Sequence, residues 1–179
     1  MTFDEFVATR LPALLRFAGV LTGERALAED VVQEVLIRVS ARWQKISGMD
    51  RPELYVRKMV TNEFLSWRRR SWRLIPSGSG ADLDHRSSPD HATDLAERDA
   101  LLAGLQKLPR LQRAVVVLRY YEGLPDREIA GIIGCKAGTV RGYAFRALAA
   151  LRVDLQAEQQ TDPPVHDDKP ELRIEGAVR

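Results

Sequence analysis

Apolar residues return every three to four positions through most of this chain, the spacing that gathers them on one face of an α-helix. The first run carries Phe3, Phe6, Val7, Leu11, Leu14, Leu15 and Ala18. Thr2 precedes it, and Glu5 completes a capping-box pattern that predicts the helix start. Pro12 lies inside the run and is expected to kink or interrupt it. A second helix is predicted from about Glu24 to Trp43, striped by Leu27, Val31, Val35 (or Leu36) and Val39. Asp50-Arg51-Pro52-Glu53 reads as a capping acid, a first-turn proline and a following acid. It announces a third helix running through Val56, Met59, Val60, Phe64 and Trp67 to about Trp72. Further on, Leu95, Leu101, Leu102, Leu105 and Leu108 mark a helix that stops at Pro109. Leu111, Ala114, Val115, Leu118 and Tyr121 mark another, ending near Gly123. A short helix, Asp126 to Ile133, is followed by a longer one from about Gly138 to Leu155. No segment alternates with a period of two between turn signals, so little or no sheet is expected.

Composition divides these helices into two groups. Pro76 to Pro89 is rich in Gly, Ser, Pro and Asp, the content of a solvated tether. The fold expected is therefore all-α: two small helical domains, residues 1–75 and 94–155, joined by a flexible linker at 76–93. The second domain is a helix-turn-helix, and 156–179 is a disordered acidic tail. Hydrophobic residues make up 45% of the chain but aromatics only 7%, which points to aliphatic helix packing. Lys+Arg 27 against Asp+Glu 25 looks balanced, but the signs are segregated. The residues after Gln156 hold six acids and three bases, so the rest has 24 bases and 19 acids, a net of +5. A basic folded part suits contact with a polyanion.

One cysteine, Cys135, excludes an internal disulfide and a multi-cysteine metal site. His85, His91 and His166 all sit in polar stretches without a rigid scaffold, so no metal or cofactor is expected. No basic segment leads into an apolar run at the N-terminus, and no window reaches the ~18–20 apolar residues of a membrane span. The expectation is a cytoplasmic protein with no membrane segment.

The last two helices carry the strongest signal. Ala130, Gly134 and Val140 have the spacing of a helix-turn-helix: a close approach, a sharp turn and a core plug. Val140, Ala144, Leu148 and Leu151 share one face, leaving Arg141, Phe145 and Arg146 away from it. Such a basic surface can enter a major groove, where arginine forks onto guanine and other cations hold phosphates. At the end of the third helix, Trp67-Arg68-Arg69-Arg70 and Trp72-Arg73 interleave cations with aromatic rings. Single-stranded nucleic acid needs both, for its phosphates and its unpaired bases. On the second helix Asp30, Gln33 and Glu34 cluster on one face. From the residues alone this ridge is more simply solvated than docked, though either is open.

With these residues in place, the chain resembles an extracytoplasmic-function (ECF) sigma factor of bacterial RNA polymerase, of the SigE-like group. The resemblance is carried by Ala28-Glu-Asp-Val-Val-Gln-Glu34, by Asn62 to Arg70, and by a long second-half pattern. That pattern runs Leu108-Pro109, Gln112-Arg113, Leu118-Arg119-Tyr120, Glu122-Gly123, Glu128-Ile129-Ala130, Gly134, Gly138-Thr139-Val140-Arg141 and Arg146-Ala147. It spans nearly all of residues 3 to 155, in order. The resemblance implies that Asp30, Gln33 and Glu34 dock on the clamp of the largest polymerase subunit. It implies that Arg57, Lys58, Asn62, Trp67, Arg68, Arg69 and Arg70 engage and open the −10 element. Lys136, Thr139, Arg141, Phe145 and Arg146 would read the −35 element as duplex. An anti-sigma protein is a further partner in keeping with the family, and catalysis belongs to the polymerase.

Four positions depart from the family's usual pattern. Ser66 stands where an aspartate is common, Lys136 and Gly142 stand in place of serines, and Pro125 stands where a serine often caps. Gly142 costs its helix about 1 kcal/mol relative to alanine. These departures bear on which −35 sequence is read rather than on the class. The alternative weighed is a stand-alone helix-turn-helix regulator whose N-terminal half dimerises or senses. An enzyme is disfavoured because no phosphate loop, paired-histidine motif or nucleophile elbow is present.

Overall fold

Thr2 caps the first helix as its side chain predicts. Its Oγ1 accepts from the Glu5 N–H at 3.2 Å, and Glu5 Oε2 accepts from the Thr2 N–H at 2.8 Å. The computed structural model describes the backbone of residues 1–71 and 92–160, and their side chains apart from 67–71, 92–97, 155 and 157–160. The helices are α1 (Phe3–Thr22), α2 (Arg25–Ser40), the single turn α3 (Trp43–Ile46), α4 (Pro52–Ser71), α5 (Ala92–Lys107), α6 (Arg110–Val116), α7 (Asp126–Ile133) and α8 (Ala137–Gln160). A π-helical turn, Val117–Tyr121, extends α6. Strands are absent among the described residues.

Local sequence departs from this outcome in three places. Pro12 does not interrupt α1, which runs unbroken from Phe3 to Thr22. The donor it lacks would have served the carbonyl of Ala8, an exposed residue that water can satisfy. The second helix ends at Ser40 rather than at Trp43. Trp43 instead leans on α1, with ring centroids 5.7 Å from Phe3 and 4.9 Å from Phe6, and its Nε1 donates to the Met1 carbonyl. That aromatic cluster outweighs continued helix. The last helix continues beyond Leu155 to Gln160, so the expected tail begins inside it, and α5 starts two residues before 94. The rest of the expected linker and tail lies outside the described residues.

Packing follows the apolar stripes. Phe6, Leu14, Phe17 and Leu21 of α1, Val31, Val35 and Val39 of α2, and Val56, Val60 and Phe64 of α4 are buried together. Burying each large side chain is worth roughly 1.5–3 kcal/mol. The same core continues into Val115, Leu118, Ile129 and Val140, so the two helical groups share apolar surface: α1 packs on α5, and α4 on α6 and α7. Leu101, Leu111 and Tyr121, expected in the core, stay exposed. The π turn rotates the end of α6, which leaves Tyr121 against Phe17 at the rim of the core rather than inside it.

Between α7 and α8, Gly134 adopts a left-handed conformation (φ 72°), and its N–H and that of Cys135 both reach the Ala130 carbonyl at 3.0 Å. This is a helix C-cap in which glycine avoids the Cβ clash of other residues. Replacing Gly134 by alanine should destabilise the fold by about 1–2 kcal/mol in urea titration. Gly131→Ala, at a helical position with open space around it, should instead stabilise by up to about 1 kcal/mol. Equal effects at both positions would contradict the turn.

Candidate nucleic-acid interface

The N-terminal half of α8 divides cleanly. Val140, Ala144 and Ala147 are buried against α6 and α7, whereas Lys136, Thr139, Arg141, Phe145 and Arg146 are all exposed. Phe145 is 76% exposed, the barest large apolar side chain described. All five residues of the expected −35 face are thus open to solvent. Arg146 lies with its guanidinium 5.2 Å from the centroid of the Tyr143 ring, and the nearest neighbour of Gly142 is that same guanidinium. Tyr143, not singled out in the sequence, is therefore the platform that orients Arg146. Its position three residues before Arg146 was the available signal.

The expected −10 residues behave differently. Arg57 is not free: Nη2 meets Glu53 Oε1 at 2.6 Å, Nη1 pairs with Glu122, and the guanidinium lies 5.7 Å from the Phe17 ring centroid. Burial alone would lower its pKa, but hydrogen bonds and charge from Glu122 and Glu53 outweigh it and raise the pKa. Lys58 is half-buried beside Met49, Leu54, Tyr55, Glu128 and Ile132, in a groove where α4 meets α7. Asn62, one turn further along the same face, is exposed. Trp67, Arg68, Arg69 and Arg70 belong to the last turns of α4, but their side chains lie outside the described residues.

On α2, Asp30 and Gln33 are exposed and Glu34 half-buried. Glu34 Oε1 sits 3.9 Å from Arg38 Nε, and Arg38 turns inward to pair with Glu63, which is 2% exposed. Beside Gln33 runs an apolar groove formed by Phe3, Val7, Leu11, Leu36 and Ile37. Ile37 is 58% exposed there. The sequence carried a trace of it: Leu36 and Ile37 are apolar residues beyond those the core stripe of α2 needs. Among the described residues no cluster of acids, histidines or cysteines could hold a metal ion. Nor is any described helix long and apolar enough to cross a membrane.

Residues 6–74 match the family model of sigma-70 region 2, and residues 98–151 match that of sigma-70 region 4. The chain is 35% identical over 158 residues to the RNA polymerase sigma-E factor of Streptomyces avermitilis, covering 88% of this chain and 87% of that one. It is 33% identical over 159 residues to the ECF RNA polymerase sigma factor SigL of Mycobacterium tuberculosis, covering 86% of each. Among solved structures it resembles the sigma factor RpoE in complex with the anti-sigma factor NepR from Bartonella quintana. The TM-score there is 0.67 at 25% identity, over 87% of this chain and 98% of that one. The PhyRSL–NepR complex from Sphingomonas sp. Fr1 shares the fold, with a TM-score of 0.60 at 22% identity over 100% of this chain and 98% of that one.

The α2 ridge separates surface from structure. Asp30→Arg should change unfolding free energy by no more than about 0.5 kcal/mol. Glu34→Arg should cost about 0.3–0.5 kcal/mol, because it sets a like charge one turn from Arg38. Urea unfolding of both variants checks this, and a loss of several kcal/mol in either would make the ridge structural.

Proposed function

The chain belongs to the extracytoplasmic-function sigma factors of bacterial RNA polymerase, and from that premise we propose how its parts share the work of initiation. As a sigma factor it binds RNA polymerase core, directs it to promoters and helps open the DNA. The observation that carries this is the pair of matches, region 2 over residues 6–74 and region 4 over 98–151, in one chain and in that order. A stand-alone helix-turn-helix regulator would leave the region 2 half without a role.

In our reading, residues 1–75 form the docking and −10 domain, and 94–155 the −35 domain. Asp30, Gln33 and Glu34 contact the clamp of the largest polymerase subunit, with Ile37 and the neighbouring groove supplying apolar contact beside their charge. Arg57, Lys58, Asn62 and Arg68 to Arg70 hold the −10 strand by its phosphates and bases. Trp67 offers a face for an unpaired base, worth about 1–3 kcal/mol. Lys136 and Arg141 hold phosphates of the −35 duplex, Thr139 approaches it at the helix start, and Arg146 with Phe145 reads base edges or a thymine methyl. The exposure of all five residues supports this division. The protein has no catalysis of its own, needs no cofactor and acts in the cytoplasm where the polymerase works. An anti-sigma protein is the regulatory partner this reading calls for, as in the solved Bartonella quintana relative.

Run-off transcription on linear duplex with purified core polymerase tests the reading: promoter-specific transcripts should appear only when this chain is added. Asp30→Lys, Glu34→Lys and Gln33→Ala should each weaken core binding, with the charge changes acting largely on the association rate. Unchanged association and dissociation in all three would remove the ridge from the interface. Arg146→Ala should cost about 1–3 kcal/mol and relax preference at one position of a randomised −35 library. A uniform loss across the library would assign base reading to Arg141 instead.

A further inference from the structure

Elements at −10 and −35 are separated by about 25 base pairs, on the order of 85 Å at 3.4 Å per step. In this structure α4 packs on α7, and α7 on α8. Packed helices lie about 8–10 Å apart, so α4 and α8 are within roughly 20 Å of each other. One chain cannot serve both elements in this arrangement. The two halves must part before a promoter is bound, and what joins them becomes a control point.

The joint is built on the end of α1. The last carbonyls of a helix lack intrahelical donors and carry its negative dipole end. The Gly19 carbonyl is taken by the Gly23 N–H at 2.8 Å, but α1 has no basic residue in its last turn. The donors come from the other half. Gln106 Nε2 donates to the Val20 carbonyl at 3.2 Å, and Arg113 Nη1 donates to the Leu21 carbonyl at 2.9 Å. Arg113 is 8% exposed and is itself braced by the side chain of Gln106 and by the carbonyls of Gln106 (2.6 Å) and Leu108 (3.2 Å). Gly23 makes the fit possible, since a Cβ there would fall 2.1 Å from the Gln106 side chain. Two further ties cross the joint. Arg110 Nη1 donates to the Phe64 carbonyl at 3.0 Å while lying 4.9 Å over its ring, and Glu122, at the end of the π turn, pairs with Arg57.

We propose that the chain latches itself closed. The α5–α6 corner caps the C-terminus of α1, and Glu122 occupies Arg57 in place of a DNA phosphate, so that the Arg57–Lys58 part of the α4 face stays against the second helical group. The inference rests on the assignment of α4 to the −10 element. The latch is built to release. Its bonds are polar and directional, and the described partners of Arg113 are uncharged oxygens. Burial, with Arg110 adding to it, pushes the Arg113 pKa down to about 10. Water can replace each of these bonds once a partner favours the open form. The α8 face is exposed in the closed form, so the latch holds back Arg57 and Lys58 on α4 and none of the α8 residues assigned to DNA.

The test uses the full chain with Cys135→Ser and spin labels on cysteines placed at exposed Ala26 and Ala150. Free parent protein should give one narrow, short distance distribution. Gln106→Ala/Glu122→Gln, which substitutes no residue assigned to DNA and frees Arg57 from its Glu122 partner, should broaden and lengthen it. The same double variant should bind a single-stranded −10 oligonucleotide about 10-fold more tightly, equivalent to ~1.4 kcal/mol, with affinity for a −35 duplex unchanged. Gln106→Ala alone should shift the distances in the same direction by less. A broad, long distribution in the parent overturns the proposal, as do parent-like distances and oligonucleotide affinity in the double variant. Distances that shift as expected while neither form binds the oligonucleotide would support the latch and count against the −10 assignment.

Discussion

A nearly buried guanidinium at the meeting point of two helical groups organises this protein. Arg113 is held between the end of α1 and its own α5–α6 corner, where its hydrogen bonds satisfy carbonyls that no helix can satisfy for itself. Removing a cation from water is expensive, and here the compensation is a set of oriented carbonyl dipoles. Phe64 packs beside it, 5.8 Å from ring centroid to guanidinium, so the same site anchors α4. The geometry of α1, α4, α5 and α6 therefore meets at one side chain.

From that junction the two faces proposed to meet nucleic acid diverge in character. The outward face of α8 is free as it stands, with Val140, Ala144 and Ala147 buried behind it against α5, α6 and α7. On α4, by contrast, Arg57 is satisfied internally, with Glu53 and Glu122 as its anionic partners. Reading duplex and opening it thus make different structural demands. In the proposed division the first asks for a fixed face, the second for cations that exchange one partner for another. The α2 surface is a third kind, mixing charge at Asp30 with apolar surface at Ile37, as interfaces between proteins do.

Much of this was legible in one dimension. The Thr2–Glu5 capping box, Pro52 in the first turn of α4 and the Ala130-Gly134-Val140 spacing all depend on contacts within a few residues. The misreadings concern side chains whose fate is set from far along the chain. Trp43 left its expected helix for Phe3 and Phe6. Leu101 and Leu111 had the right period but stay outside the core. Periodicity says which residues share a face, not whether another helix arrives to cover it.

The sequence by itself determined the helices, their two groups, the helix-turn-helix and the identity of the residues on its outer face, because those follow from propensity, capping and local spacing. Only the tertiary structure decided which of those residues are free. Arg57 and Arg146 look alike in sequence, both cations on amphipathic helices, yet one is paired with Glu122 and the other lies over Tyr143 in solvent. Residues 57 and 122 have no local relation, and only the packing of α4 against the second helical group brings their charges together. Charge pairing acts over a few ångströms of space, and distance along the chain does not report it.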